Sequence, residues 1–257
     1  MSEILEHYDL ALISLYLFWV FFFFLVLYLH RESKREGYPL LTDRLSDRVQ
    51  VVGFPGLPDP KTFRLPHGHG EVTVPRVEHD TRQPALKQAD RFFGAPFDPT
   101  GNPMVDGVGP AAYAERATGP DLTMAGAVKI VPLRLANDFH LEERDPDPRG
   151  MLVVGVDGVP AGTVTDVWVD RSEYVLRYLE VELEGVTPAR RVLVPINFCT
   201  FEGQRLVYVR AIKGEHFRDI PAHANPEQVT MREEDQITGY FGGGTLYATP
   251  MRKEPLI

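Results

Sequence analysis

The amino-acid sequence predicts a single N-terminal transmembrane helix followed by a mainly-β inner domain, a small antiparallel barrel with a short C-terminal helix. Three observations carry this reading. Residues 10–29 (LALISLYLFWVFFFFLVLYL) contain no charge. Beyond about residue 126 the chain turns into short apolar or alternating runs separated by turn residues. No helical patterns alternate with those runs, so a doubly wound parallel sheet is disfavoured.

The span comes first. A 20-residue helix is about 30 Å long, the thickness of a hydrocarbon core. A secretory signal peptide is the wrong description: the apolar run is too long, and the leader carries Glu3, Glu6 and Asp9 instead of Lys or Arg. Arg31, Lys34, Arg35, Arg44 and Arg48 all follow the span, which places its C-terminal side in the cytoplasm. Tyr8 and Tyr28 sit at its ends as interfacial belt residues do. Trp19 lies at mid-span with Tyr16 one helical turn before it. These two either face lipid or mark a face packed on other transmembrane helices.

The expected organisation is a periplasmic tail over 1–9, the helix over 10–30, an extended membrane-surface segment over 31–110 and a cytoplasmic β domain over 111–257. The segment 31–110 is dense in Pro and Gly and offers at most one short strand, EVTVP. Its aromatic residues (Phe54, Phe63, Phe92, Phe93, Phe97), with Tyr113 just beyond it, argue against plain disorder and for ordering against a partner surface. The β domain follows with VKIVPLRL, MLVVGV, GTVTDVWVD, YLEVEL, VLVPI and RLVYVRAI. Asp157-Gly158 reads as a hairpin turn. In YLEVELEG, alternation puts Leu179, Val181 and Leu183 on one face and Glu180, Glu182 and Glu184 on the other. MREEDQITGYFGGG reads as a short helix with an acidic start, ended by Gly242.

Composition narrows the function. The net charge of −9 lacks the electrostatic footprint of a nucleic-acid binder. One cysteine, Cys199, excludes an internal disulfide and a Cys-based metal cage, and its apolar neighbours suggest a small buried residue. His67 and His69 form a lone H-x-H in a Pro/Gly loop, for which a surface turn is the simpler reading than a metal site or a tethered hydrolase. No nucleophile elbow, zincin motif or dinucleotide fingerprint is present. The cluster Asp170-Arg171-Ser172-Glu173, with Arg177 beyond it, lies in a turn between two strands. Carboxylates held close to a guanidinium have split proton affinities and can pass protons; a solvated hairpin turn accounts for the same residues.

Read together, the aromatic span, REGYPL after it, PKTFRLPHG, PTGNPMVDGVGP, KIVPLR, DPRG, AGTVTDVWVDRSE, RYLEVEL and EEDQITGYFGGGTLYATP resemble the H-subunit family of purple-bacterial photosynthetic reaction centres. The resemblance runs nearly end to end. It implies a PRC-type barrel core over about 146–221 and a non-catalytic subunit of the intracytoplasmic photosynthetic membrane. Such a chain binds no cofactor directly. Its partners would be membrane lipids and the L and M subunits, which carry bacteriochlorophyll, bacteriopheophytin, quinones, non-haem iron and, as an optional member, carotenoid. An antenna and a cytochrome subunit are further partners of such assemblies. The family's helix packs beside L and M, giving Tyr16 and Trp19 neighbours. Its inner domain caps them, shields the secondary quinone and contributes to its proton supply. By position, Glu173 matches the family's key proton-transfer acid, Asp170 and Arg177 its polar neighbours, and Lys61 a basic residue near lipid headgroups. Thr123–Ala127 departs from the pattern: some members have an Asp and two His there, so no metal site is carried over and the proton entry point stays open among Glu115, Asp121 and other carboxylates. A tethered barrel adaptor binding some other protein is the alternative reading.

Overall fold

The computed structural model describes residues 9–41, 50–76, 82–92 and 94–250. Tyr8, Arg44, Arg48 and Phe93, and nearly all of the 1–9 tail, lie outside the described residues. The chain divides into two compact units, Met1–Arg82 with Asp90–Ala95, and Gln83–Ala89 with Pro96–Ile257.

In the first unit, helix α1 (Leu10–Glu32) is capped by Asp9, whose Oδ1 accepts the Ala11 and Leu12 N–H groups. None of its residues is buried among the described residues, and from Leu10 to Leu29 its surface is almost wholly apolar. It is long and apolar enough to cross a membrane. Strands β1 (Leu40–Leu41) and β2 (Gln50–Val51) pair, as do β3 (Lys61–Arg64) and β4 (Glu71–Val74). Extended chain was expected here with one strand at most; short paired strands form, and Pro66, Gly68 and Gly70 shape the β3–β4 turn, which a search for periodicity passes over. His67 and His69 lie exposed in the β3–β4 turn, closed by Leu65 N–H to the Gly70 carbonyl.

The basic residues after α1 organise this unit. Lys34 is buried, and its Nζ donates to the carbonyls of Val52 (2.7 Å) and Pro55 (2.6 Å) while lying 5.4 Å from the Tyr38 ring centroid. Arg35 clasps Glu32 through two nitrogens and donates to the carbonyls of Asp59 and Val74. An ammonium satisfying two carbonyls thus replaces the apolar core this stretch lacks. Lys34→Met is expected to raise amide hydrogen exchange between residues 50 and 57 by roughly tenfold, since the orphaned carbonyls must find water.

The second unit opens with the pair β5 (Leu86–Gln88) and β6 (Phe97–Pro99), and a single turn of helix, α2 (Pro103–Asp106). Its body is a seven-stranded sheet of β7 (Ile130–Pro132), β8 (Leu152–Val154), β9 (Pro160–Asp170), β10 (Val175–Leu183), β11 (Arg191–Pro195), β12 (Cys199–Glu202) and β13 (Leu206–Val209), in the order β11-β10-β9-β8-β13-β12 with β7 also on β9. The mainly-β domain predicted from the runs is present. One pair departs from an all-antiparallel scheme: β13 runs parallel to β8. β9 is shared, pairing with β8 through Pro160–Thr163 and with β7 through Trp168–Asp170. Two register shifts against β10 give the bending that lets one strand serve both neighbours.

Trp168, Leu179, Leu193, Ile212, Phe217 and Ile220 fill the core under helix α3 (Met231–Tyr247). Thr230 caps α3 with Glu233 in a reciprocal box. The helix is longer than the sequence pattern suggested, and Gly242 does not end it. Its glycines stay helical because the helix lies against backbone. A Cβ on Gly243 would stand 2.5 Å from the Ala111 Cβ, and one on Gly244 would stand 2.6 Å from the Ala211 carbonyl oxygen. Cys199 is mostly shielded, and burial pushes its thiol up to about 12, as for a packing residue.

Candidate functional site

The turn between β9 and β10 is built by Asp170. Its Oδ1 accepts the N–H groups of Ser172 (2.9 Å) and Glu173 (3.0 Å), and its backbone carbonyl accepts Tyr174 N–H (2.9 Å). Tyr174 adopts φ +56°, a left-handed conformation that closes the turn. Asp170 itself is fully buried, whereas the Glu173 side chain is half exposed. The structure therefore joins a solvent-facing carboxylate to an interior one through a single rigid turn.

Lys129 completes the cluster. It precedes β7, and a tight hairpin over Asp121–Lys129 (Leu122 bridging Val128) brings Asp121 beside it. Its Nζ lies 3.2 Å from Glu173 Oε1, 3.4 Å from Asp121 Oδ2 and 3.5 Å from Asp170 Oδ2. Burial works against the Lys129 charge, but the Glu173 hydrogen bond and the fields of Asp170 and Asp121 outweigh it and hold the ammonium above its usual range. Arg177 approaches from β10, with Nε 3.5 Å from Asp170 Oδ2. Asp170 Oδ2 and Arg177 Nε are both buried without a hydrogen-bond partner. They face each other as an ion pair, and each keeps hydrogen-bonding capacity that ordered water beside the pair can take up. Asp170, Glu173 and Arg177, singled out in the sequence, are thus assembled at one place, together with Lys129, which was not.

Two further ionisable groups escaped sequence reasoning. Alternation groups Glu180 with Glu182 and Glu184 on one face of β10, and Glu180 is buried there. Its carboxylate takes hydrogen bonds from Trp168 Nε1 (3.0 Å), Arg134 Nη1 (2.9 Å), Arg191 Nη1 (3.3 Å) and Thr165 Oγ1 (3.2 Å), and the same Arg134 Nη1 donates to Asp166 Oδ2 (2.9 Å). Alternation marked only the two faces of β10; the segment around Arg134 covers the second one. Glu234 lies partly buried on α3, where Tyr178 OH donates to its Oε2 (3.1 Å). Burial raises the Glu234 carboxyl above the usual range, against the opposing Tyr178 hydrogen bond and the Arg177 and Arg116 charges. In sequence it looks like any acid at a helix start.

The remaining predicted residues belong to the first unit. Lys61 stands on β3 with Nζ 5.2 Å from the Phe63 ring centroid. Trp19 packs edge-on against Phe18 and Phe22 of its own helix, not against Tyr16, and both Tyr16 and Trp19 are exposed.

Comparison with known families decides the relationship. Residues 2–135 match the photosynthetic reaction centre H-chain N-terminal region. The chain belongs to the reaction-centre H-chain family. A second match, to the PRC-barrel domain, covers residues 140–216 and contains β8 through β13 of the sheet together with the Asp170–Arg177 turn. This H-chain is accordingly a membrane-anchored subunit of a photosynthetic reaction centre, built from an apolar helix and a PRC-barrel.

Proposed function

We propose that this H-chain is a non-catalytic subunit that caps the cytoplasmic face of pigment-bearing L and M partners, shields the secondary quinone and delivers protons as that quinone is reduced to quinol. The observation that carries the reading is the Asp170–Glu173–Lys129–Arg177 cluster within a reaction-centre subunit. α1 would pack its Tyr16 and Trp19 face on partner helices, its N-terminus periplasmic in keeping with the basic residues that follow it. Lys61 would lie at lipid headgroups. The bacteriochlorophylls, bacteriopheophytins, quinones and iron belong to the partners.

The physics is that of a charge in low dielectric. A doubly reduced quinone in a dry pocket is prohibitively costly unless protons arrive with the electrons. Flooding the pocket would defeat its insulation. Asp170 and Glu173, side by side in one turn, pass protons singly, and Lys129 and Arg177 keep their negative charges tolerable. In the assembled complex, Glu173→Gln is expected to slow the second, proton-coupled electron transfer by at least about tenfold and to leave primary charge separation intact. Flash spectroscopy reads both steps; unchanged quinol formation removes Glu173 from the path.

A further inference from the structure

The proton route needs a mouth, and Thr123–Ala127 offers no titratable side chain for one. On the other side of Arg177 lies a cleft of about 450 Å³ between β10 and α3. Arg116, Arg177, Tyr178, Asn197, Glu234 and Asp235 supply its polar lining. The outer wall is firmly held: Asp235 accepts Ala114 N–H (3.2 Å) and Arg116 Nη1 (3.4 Å), and Arg232 Nε donates to the Arg116 carbonyl (3.1 Å). Arg116 is about half exposed, so the cleft meets bulk water there. It also reaches Arg177, whose Nε is buried, makes no hydrogen bond and pairs at 3.5 Å with Asp170 Oδ2, an atom likewise without a hydrogen bond.

We infer that this cleft is the proton inlet of the chain, with Glu234 as the acid that takes protons from solvent and passes them past the Arg177–Asp170 ion pair to Asp170 and Glu173. The inference rests on the proton-delivery reading and adds to it a residue and an entrance. In each transfer a proton leaves the Glu234 carboxyl for a bridging water, a second proton leaves that water for Asp170, and Glu234 is reprotonated from the cleft. Tyr178 holds the carboxyl in place by donating to Oε2. The groups that face Glu234 are Tyr178 and Arg177 on β10, Arg116 and Asp121 from the segment before β7, and Asp235 on α3 itself. The two arginines draw in anions and the buried carboxyl keeps a proton at higher pH than a free glutamate.

The test uses the full complex carrying Glu234→Gln, Glu234→Asp or Glu173→Gln, with second electron transfer followed against pH by flash spectroscopy. Glu234→Gln is expected to slow that step by roughly fivefold at neutral and alkaline pH and to shift its pH profile to lower pH. Glu234→Asp should retain most of the rate. Added formate, a weak acid small enough for the cleft, should restore the Gln variant. If Glu173→Gln slows the step while Glu234→Gln leaves rate and profile unchanged, the inlet is overturned and proton delivery stands. If neither variant slows it, both fall. Equal slowing by Gln and Asp that formate does not relieve would assign Glu234 a structural role and overturn the inlet.

Discussion

Glu180→Ala is expected to destabilise the detergent-solubilised chain by about 3–5 kcal/mol, the cost of removing one partner from a buried ionic cluster. Glu180 is 2% exposed and accepts from Trp168, Arg134, Arg191 and Thr165. Alanine leaves the Trp168 N–H buried without an acceptor and removes a counter-charge from two guanidiniums. It also opens a cavity beside Trp168 and Thr165. Burial alone would raise the Glu180 pKa; the hydrogen bonds from Arg134 and Trp168 reverse this and hold the carboxyl below its usual range. A carboxyl depressed in the folded state stabilises the fold above its unfolded pKa, and that contribution is lost as pH falls through the folded value. The difference between wild type and Glu180→Ala should therefore be full at neutral pH and shrink as pH drops below 4.5, the ordinary glutamate value. Denaturant titration in a Trp19→Phe background reads it through Trp168, the other of the two tryptophans. A loss under about 1 kcal/mol would mean that the cluster is merely tolerated.

Gly244→Val is the second large effect, expected at about 3 kcal/mol of destabilisation. Helix propensity argues the other way, because replacing a glycine inside a helix ordinarily gains several tenths of a kcal/mol. The geometry decides. The first added carbon would stand 2.6 Å from the Ala211 carbonyl oxygen and close on Ile212 Cγ2, which is backbone and core with nowhere to move. The α3 glycines are thus a docking seam, where helix meets the Ala111 and Ala211 segments at backbone distance. Stabilisation by Gly244→Val, measured by thermal unfolding in detergent, would contradict this packing.

Those same two residues show what is legible in a linear sequence. The membrane helix declares itself by 20 uncharged positions, and the β domain by runs such as YLEVEL whose Leu179, Val181 and Leu183 are indeed buried. The turn carrying Asp170 and Glu173 is visible because it sits between two apolar strands. Glu180 is not, since period-two alternation distinguishes two faces without saying whether both are covered. Gly242–Gly244 look like a helix stop, because Gly commonly ends helices and sequence does not reveal a neighbour close enough to require it. Lys129 and Glu234 join the ionisable cluster through contacts 44 and 56 residues apart along the chain. No local motif announces such meetings. The short hairpins of the first unit are hidden for the opposite reason: their strands are too brief to show a period.

The account stands most directly on what happens to quinone reduction when this chain is taken away and returned. Pigmented partner subunits stripped of it should lose proton uptake and second electron transfer, and one copy of the full-length chain per core should restore both. A stripped core that makes quinol at an unchanged rate, or a chain that remains unbound and colourless beside it, would contradict the account.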